Sequence, residues 1–125
     1  MRVIYVILFI IILSVVVLIS SYATRIEKYG EPISSYKSAE VSDILAYPDE
    51  YKGKTVTVEG KIVKECLLGY WFYLKVPGGI GIIYVDVGSA GFSIPQKHGN
   101  DLTVEGKVII KGTTPVIEGR GVEIK

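Results

Sequence analysis

Two patterns of apolar residues divide the chain. From Val3 to Ile19 every residue is apolar except Tyr5 and Ser14, and no charge falls between Arg2 and Arg25. With no polar face, such a run predicts a helix surrounded by apolar matter on all sides. Val3–Ala23 as a helix would be about 32 Å long at 1.5 Å per residue, enough to cross a hydrocarbon core. From Thr55 onward apolar residues instead alternate with polar ones, the period of a half-buried strand. This second pattern predicts five strands: Thr55–Lys64, Tyr70–Val76, Ile80–Val87, Leu102–Lys111 and Pro115–Ile124. Pro77-Gly78-Gly79 supplies a hairpin turn between the second and third, and Lys111-Gly112-Thr113-Thr114 one between the fourth and fifth.

The segment between the two patterns is polar. Residues 24–37 contain Gly30, Pro32 and Ser34-Ser35 and read as a juxtamembrane linker, with Tyr22 and Tyr29 at the level of lipid headgroups. Ser38 is placed to cap a short helix, Ser38–Tyr47, whose Val41, Ile44 and Leu45 share a face. Pro48–Gly53 then turns into the first strand. The stretch Gly88–Asp101, rich in Gly, Ser and Pro, predicts a loop with room for a short helix.

Thr57-Val58-Glu59-Gly60-Lys61 recurs as Thr103-Val104-Glu105-Gly106-Lys107, and Ile117-Glu118-Gly119-Arg120 is a fainter echo. In the first strand Val56, Val58 and Ile62 point inward; in the fourth Leu102, Val104, Val108 and Ile110 do. Gly60 and Gly106 then fall on the inward side at mid-strand, where glycine marks a bulge or sharp bend. Past each glycine the facing is expected to switch and take Val63 and Ile109 inward. The Glu-Lys pairs of both copies read as a solvated face.

Strongly bent first and fourth strands are what close a small barrel. The strand order, the segment Ile44…Pro48…Tyr51…Gly53-Lys54 and the glycine-centred strands resemble an OB-fold domain of the anticodon-binding-like nucleic-acid-binding superfamily. The resemblance covers roughly residues 40–125. It implies an all-β fold: a five-stranded OB-like Greek-key barrel with one short helix, preceded here by an N-terminal transmembrane helix. The expected division is 1–23 anchor, 24–37 linker and 38–125 barrel domain. Many OB-folds carry a helix between strands three and four, where this chain has its Gly-rich loop, so the helix at Ser38–Tyr47 is expected to cap the barrel instead.

Ser21-Tyr22-Ala23 has the small-x-small form of a cleavage site, but the apolar run exceeds the about 7–15 residues of a signal core, which favours an uncleaved anchor. Arg2 on one flank and Arg25 and Lys28 on the other nearly balance the positive-inside rule. The expectation is a single-pass cell-membrane protein, held through residues 3–23, with the barrel outside the cytoplasm. No Cys follows the apolar run, so a lipoprotein-type attachment is not expected there.

The chain has 14 basic and 13 acidic residues; setting Arg2 aside leaves 13 of each from Thr24 onward. Proteins that grip phosphate backbones usually carry a basic excess, so any nucleic-acid contact must come from clustered charge. The single Cys66 can form no internal disulfide. Gln96 and Asn100 are the only side-chain amides and Met1 the only methionine. That scarcity, beside abundant Lys, Glu and Ile, is a heat-adapted composition.

The candidate working surface is aromatic. Period-2 alternation puts Trp71, Tyr73 and Lys75 on the outer side of the second strand, and Ile82, Tyr84 and Asp86 on that of the third. An OB-fold resemblance implies that oligonucleotides or oligosaccharides bind on this face, helped by the loops after strands one and four. Lys64 and Lys111 lie in or beside those loops. The ligand-binding set is thus Trp71, Tyr73, Lys75, Tyr84, Lys64 and Lys111, for an oligonucleotide, an oligosaccharide or, alternatively, a protein of a membrane complex. The plain alternative makes the aromatics β-formers covered by the linker or the 88–101 loop.

Catalysis and metal binding find little footing. His98 could be drawn into a triad with Ser93 or Ser89 and Asp101, but all lie in one loop and read as solvated. One His, one Cys and scattered acids do not make a metal site, and no cofactor is expected. Cys66 reads as a small apolar residue near the barrel end. Gly60-Lys61 and Gly106-Lys107 are not phosphate loops, since both lie inside strands; Gly78-Gly79-Ile80-Gly81 opens no helix. The layout is similar to that of the periplasmic haem chaperones of cytochrome c maturation, but no His follows His98, so haem attachment is not expected.

Overall fold

The computed structural model describes residues 1–23, 26–34 and 38–125, and for 19–23 the backbone alone. Helix α1 spans Arg2–Ala23. Ser14, one polar residue in its apolar run, donates its hydroxyl to the Ile10 carbonyl at 2.9 Å. The large side chains from Val3 to Leu18 remain between 48% (Val15) and 71% (Tyr5) exposed, so α1 does not pack into the core of the sheet domain. Among the described residues no helix is long and apolar enough to cross a membrane; the side chains described on α1 end at Leu18. The cleavage form at Ser21-Tyr22-Ala23 and the placement of Tyr22 concern side chains outside the described residues, as do Thr24, Arg25 and residues 35–37.

The sheet domain has six strands: β1 (Glu27–Gly30), β2 (Thr55–Glu65), β3 (Trp71–Lys75), β4 (Ile82–Asp86), β5 (Asp101–Lys111) and β6 (Thr114–Ile124). The order β1-β6-β4-β3-β2-β5, with β6 also paired to β5, closes β2 to β6 into a ring and leaves β1 outside it. All pairings are antiparallel except β4 with β6. The five expected strands are therefore present, each within one residue of its expected ends except the third, which starts two residues late, at Ile82.

The core follows the alternation. Val56, Val58 and Ile62 of β2 meet Phe72 and Leu74 of β3, Ile83 and Val85 of β4, Leu102, Val104 and Val108 of β5, and Ile117 and Val122 of β6. Gly60 and Gly106 sit in this inward register because strands cross them closely. A Cβ on Gly106 would run into the Glu118 carbonyl oxygen, and one on Gly60 would come within 2.8 Å of the Lys75 carbonyl oxygen. The facing does not switch at either glycine, contrary to expectation. Ile62 and Val108 stay buried, while Val63 and Ile109 are half-buried. Val63 is the extra residue of a bulge, since β2 steps from Ile62 to Lys64 while β3 steps from Leu74 to Tyr73.

Three expectations on the flanks need correction. The segment read as a linker supplies β1, which pairs with β6 from Glu27↔Ile124 to Gly30↔Gly121, and Tyr29 packs against the core instead of standing apart from the domain. Ser38 does not cap a helix; it bridges Thr57, and helix α2 (Val41–Ala46) starts after Glu40 with no side-chain cap. Pro48 does not merely follow the helix but opens a second short one, α3 (Pro48–Tyr51), at a first-turn position where its missing N–H costs nothing. Val41 and Ile44 of α2 are fully buried in the core.

Candidate nucleic-acid interface

Antiparallel pairing decides which outward side chains become neighbours. Tyr73 stands directly opposite Tyr84, Trp71 opposite Asp86, and Lys75 opposite Ile82. The three rings make one cluster. Trp71 stacks on Tyr84, centroids 5.7 Å apart and planes 28° apart; Tyr73 sets its edge to Tyr84 at 5.3 Å and to Trp71 at 5.9 Å. Mutual packing leaves each ring half-buried, not sealed. Burial pushes the Tyr84 phenol above its ordinary value, and the nearby Asp86, Tyr73 and Cys66 add to the shift. Tyr84 therefore stays a neutral hydroxyl through the physiological range, a donor as well as an acceptor.

The registers extend this cluster into rows that run across the ring. One row is Lys64, Tyr73, Tyr84, Val116 and Ile109. Val116, opposite Tyr84, is buried yet lies outside the core cluster. A second row, one step toward the β2–β3 turn, is Trp71, Asp86, Glu118 and Lys107. A third, on the opposite side, is Lys61, Lys75 and Ile82. Lys111, paired with Thr114, stands two residues beyond Ile109 on the same side of β5. Lys61, Lys64, Lys75 and Lys111 are all exposed. Among the described residues the ion pairs are Lys97–Glu27 and Arg120–Glu105, so none of these four lysines is in one.

Trp71, Tyr73, Tyr84, Lys64 and Lys75 are thus neighbours on one outer face, whereas Lys111 lies on β5, which among the described residues pairs with β2 and β6 and with neither ring-bearing strand. Of the 88–101 segment, Ser89 reaches this face, bonding Asp86 opposite Trp71. A 3-10 turn at Gly88–Ala90 is followed by irregular chain that buries Ile94 and then follows β2. Along that path Glu65 accepts from the Lys97 and His98 amides at 2.9 Å each, and the His98 ring meets the Val63 carbonyl at 3.1 Å. Of the residues considered for a triad, Ser89 donates to Asp86 at 2.6 Å and the His98 ring is turned to β2. Among the described residues no three His, Cys, Asp or Glu side chains gather as a metal would need.

One cluster went unanticipated. Glu105, expected on the solvated face, is 1% exposed. Arg120 binds it through Nε at 2.9 Å and through a second nitrogen, and Ser34 donates its amide at 2.8 Å and its hydroxyl at 3.1 Å. Burial alone would raise this carboxyl; the donors of Arg120 and Ser34 outweigh it and hold it below its ordinary value. A sequence signal existed: counting back along the hairpin from Gly112 sets Glu105 opposite Arg120. The bulge between Glu105 and Gly106 moves the pairing to Gly121 but leaves the two side chains in contact.

No protein-family model matches the chain, and no curated protein does. Solved structures match it by shape. It aligns with the hypothetical protein ygiW from E. coli at TM-score 0.52 and 18% identity, over 78% of this chain and 99% of that one. It aligns at TM-score 0.54 and 14% identity with a Leishmania major Friedlin protein described as an aspartyl-tRNA synthetase, over 77% of this chain but only 22% of that one. The S. pombe Stn1-Ten1 complex aligns at TM-score 0.46 and 13% identity, over 70% of this chain and 77% of that one. At such identities the likeness concerns the fold, which is of the OB type.

Proposed function

We propose that this chain is a membrane-tethered OB-fold barrel that binds single-stranded nucleic acid, and that it is a binding module and not an enzyme. The observation that carries the reading is the outer face itself: Trp71, Tyr73 and Tyr84 in one cluster, flanked by Lys64, Lys75 and Lys61. Bases stack on such rings for about 1–3 kcal/mol each, and lysines at the margin meet the phosphates. A neutral oligosaccharide would use the rings but leave the lysines idle. The name of the matched synthetase, which concerns a tRNA, agrees with this choice.

The tether is proposed from α1, whose 22 residues would reach about 33 Å. We further propose that the barrel lies on the extracytoplasmic side. A protein partner is the second reading. Its supporting observation is β1, which pairs with β6 on one side only among the described residues and so offers a four-residue edge.

The test is anisotropy of a labelled oligothymidylate against the full chain in detergent micelles, beside a neutral oligosaccharide of equal length. Trp71→Ala and Tyr73→Ala should each weaken oligothymidylate binding by roughly 5- to 100-fold. Lys75→Ala should reduce the salt slope by about one contact's worth. Unchanged affinity in Trp71→Ala overturns the reading, and equal binding of the neutral sugar moves it to glycans.

A further inference from the structure

The β2–β3 turn is built to hold two leucines away from the protein. Leu67 and Leu68 are 82% and 67% exposed, and Tyr70 beside them is 48% exposed. They occupy the corner of a tight turn closed by the Gly69 amide on the Cys66 carbonyl at 3.0 Å. Gly69 has φ +76°, and a Cβ there would strike the Ile94 carbonyl oxygen. The Ile94 amide in turn donates to the Gly69 carbonyl at 3.0 Å, and the Ile94 side chain is buried in the core. The turn is therefore pinned from behind, and its leucines cannot fold back to bury themselves.

The same segment that pins the turn reaches the tether. Gln96 touches the Leu67 carbonyl at 3.5 Å, and Lys97 pairs with Glu27, the first residue of β1, at 3.3 Å. Ile26, just before β1, is 47% exposed. Three residues of chain, at most about 11 Å, separate Ile26 from Ala23 at the end of the apolar helix. The leucine turn and the start of the domain are thus tied to one loop. The other exposed turn tip, Ile80 at 98%, lies across the length of β3 and among the described residues shows no such link.

We propose that Leu67 and Leu68 insert into the bilayer that holds α1, giving the domain a second membrane contact; this rests on the tether proposed above. Two leucines and a tyrosine fall well short of the about 800 Å² per partner of a stable protein interface, whereas a shallow apolar tip suits lipid. Two contacts fix an orientation that one helix leaves free. β3 then runs outward from the membrane, with Trp71 at the near end of the aromatic face and Lys75 at the far end.

The test uses the full chain in phosphatidylcholine–phosphatidylglycerol vesicles. With Cys66→Ala as background, a fluorophore is attached through Leu68→Cys or, as control, Ile80→Cys, and quenched by lipids spin-labelled high on the acyl chain. Quenching at position 68 at least threefold above position 80 is the expected result. Equal quenching at the two positions overturns the insertion. Flotation after alkaline carbonate separates the two claims. A chain that floats without quenching at 68 keeps its tether and loses the second contact, and one that does not float loses both.

Discussion

Thr57–Lys61 and Thr103–Lys107 are the same five residues, and they lie side by side. β2 and β5 pair antiparallel with Val58 opposite Val104, so each glutamate faces the other copy's threonine: Glu59 across from Thr103, Glu105 across from Thr57. Locally the two copies are related by a two-fold axis. Their glutamates nonetheless end in opposite surroundings, Glu59 exposed and Glu105 1% exposed. What differs is the third strand. β5 is flanked along its whole length by β6, which brings Arg120, and the chain after β1 adds Ser34. β2 gains β3 only from Lys61 onward, and among the described residues nothing of the kind reaches Glu59. Identical sequence sets identical strands, and the surroundings assembled from distant segments set the chemistry.

The sharpest way to break the comparison is Arg120→Met. It leaves the Glu105 carboxylate buried with only the Ser34 donors. A cost of about 3 kcal/mol is expected, the lower end for breaking a buried pair because Arg120 is itself 36% exposed. Urea unfolding of the variant measures it. A loss under about 1 kcal/mol would show that the Ser34 donors suffice and that the third strand matters little.

The glycines test the same asymmetry through packing. Gly106→Ala drives a Cβ into the Glu118 backbone, which cannot rotate away, and should cost about 2–3 kcal/mol. At Gly60 the nearest obstacles are the Lys75 carbonyl oxygen at 2.8 Å and the Leu74 Cβ at 3.1 Å, and about 1–2 kcal/mol is expected. Equal costs would mean that both copies are equally confined.

The alternation of Trp71, Tyr73, Tyr84 and Lys75 was enough to place them on one face, because side-chain direction in a strand is a local property with a fixed period. The same holds for the buried Val58 and Val104. Glu105 could not be placed by period alone. It occupies an outward position, and it is buried by residues 71 positions earlier and 15 later. β1 was hidden for a related reason: Glu27-Lys28-Tyr29-Gly30 shows no alternation, and it is a strand because β6 offers it an edge. Ser38 has ordinary capping chemistry but bridges Thr57 instead, and Pro48 opens α3, a use its local chemistry allows as readily as a turn.

Glu105→Gln keeps the shape and removes the charge, and should cost about 1–2 kcal/mol at neutral pH. Its larger effect is on pH dependence. The folded-state carboxyl sits below its ordinary value of 4.5, so the native state binds protons less readily than the unfolded chain. The stability it supplies is complete above that ordinary value and is lost as pH falls through the depressed folded value. Thermal unfolding followed downward from pH 7 should therefore show a steeper acid decline in the parent chain than in the variant. Parallel declines would remove Glu105 from the acid response.

Glu59→Gln is the smallest change and the control that gives the others meaning. Its carboxylate is exposed, and the contact from the Thr103 hydroxyl is long at 3.4 Å. Neutralising it should change stability by no more than about 0.5 kcal/mol and leave the acid decline as it is in the parent. The two-fold pairing makes this a demanding expectation, because the residue, its neighbours in sequence and its facing threonine all match those of Glu105. Only Arg120 and Ser34 are missing. If Glu59→Gln cost as much as Glu105→Gln, the effect would belong to the pentapeptide itself, and the third strand would have no part in it.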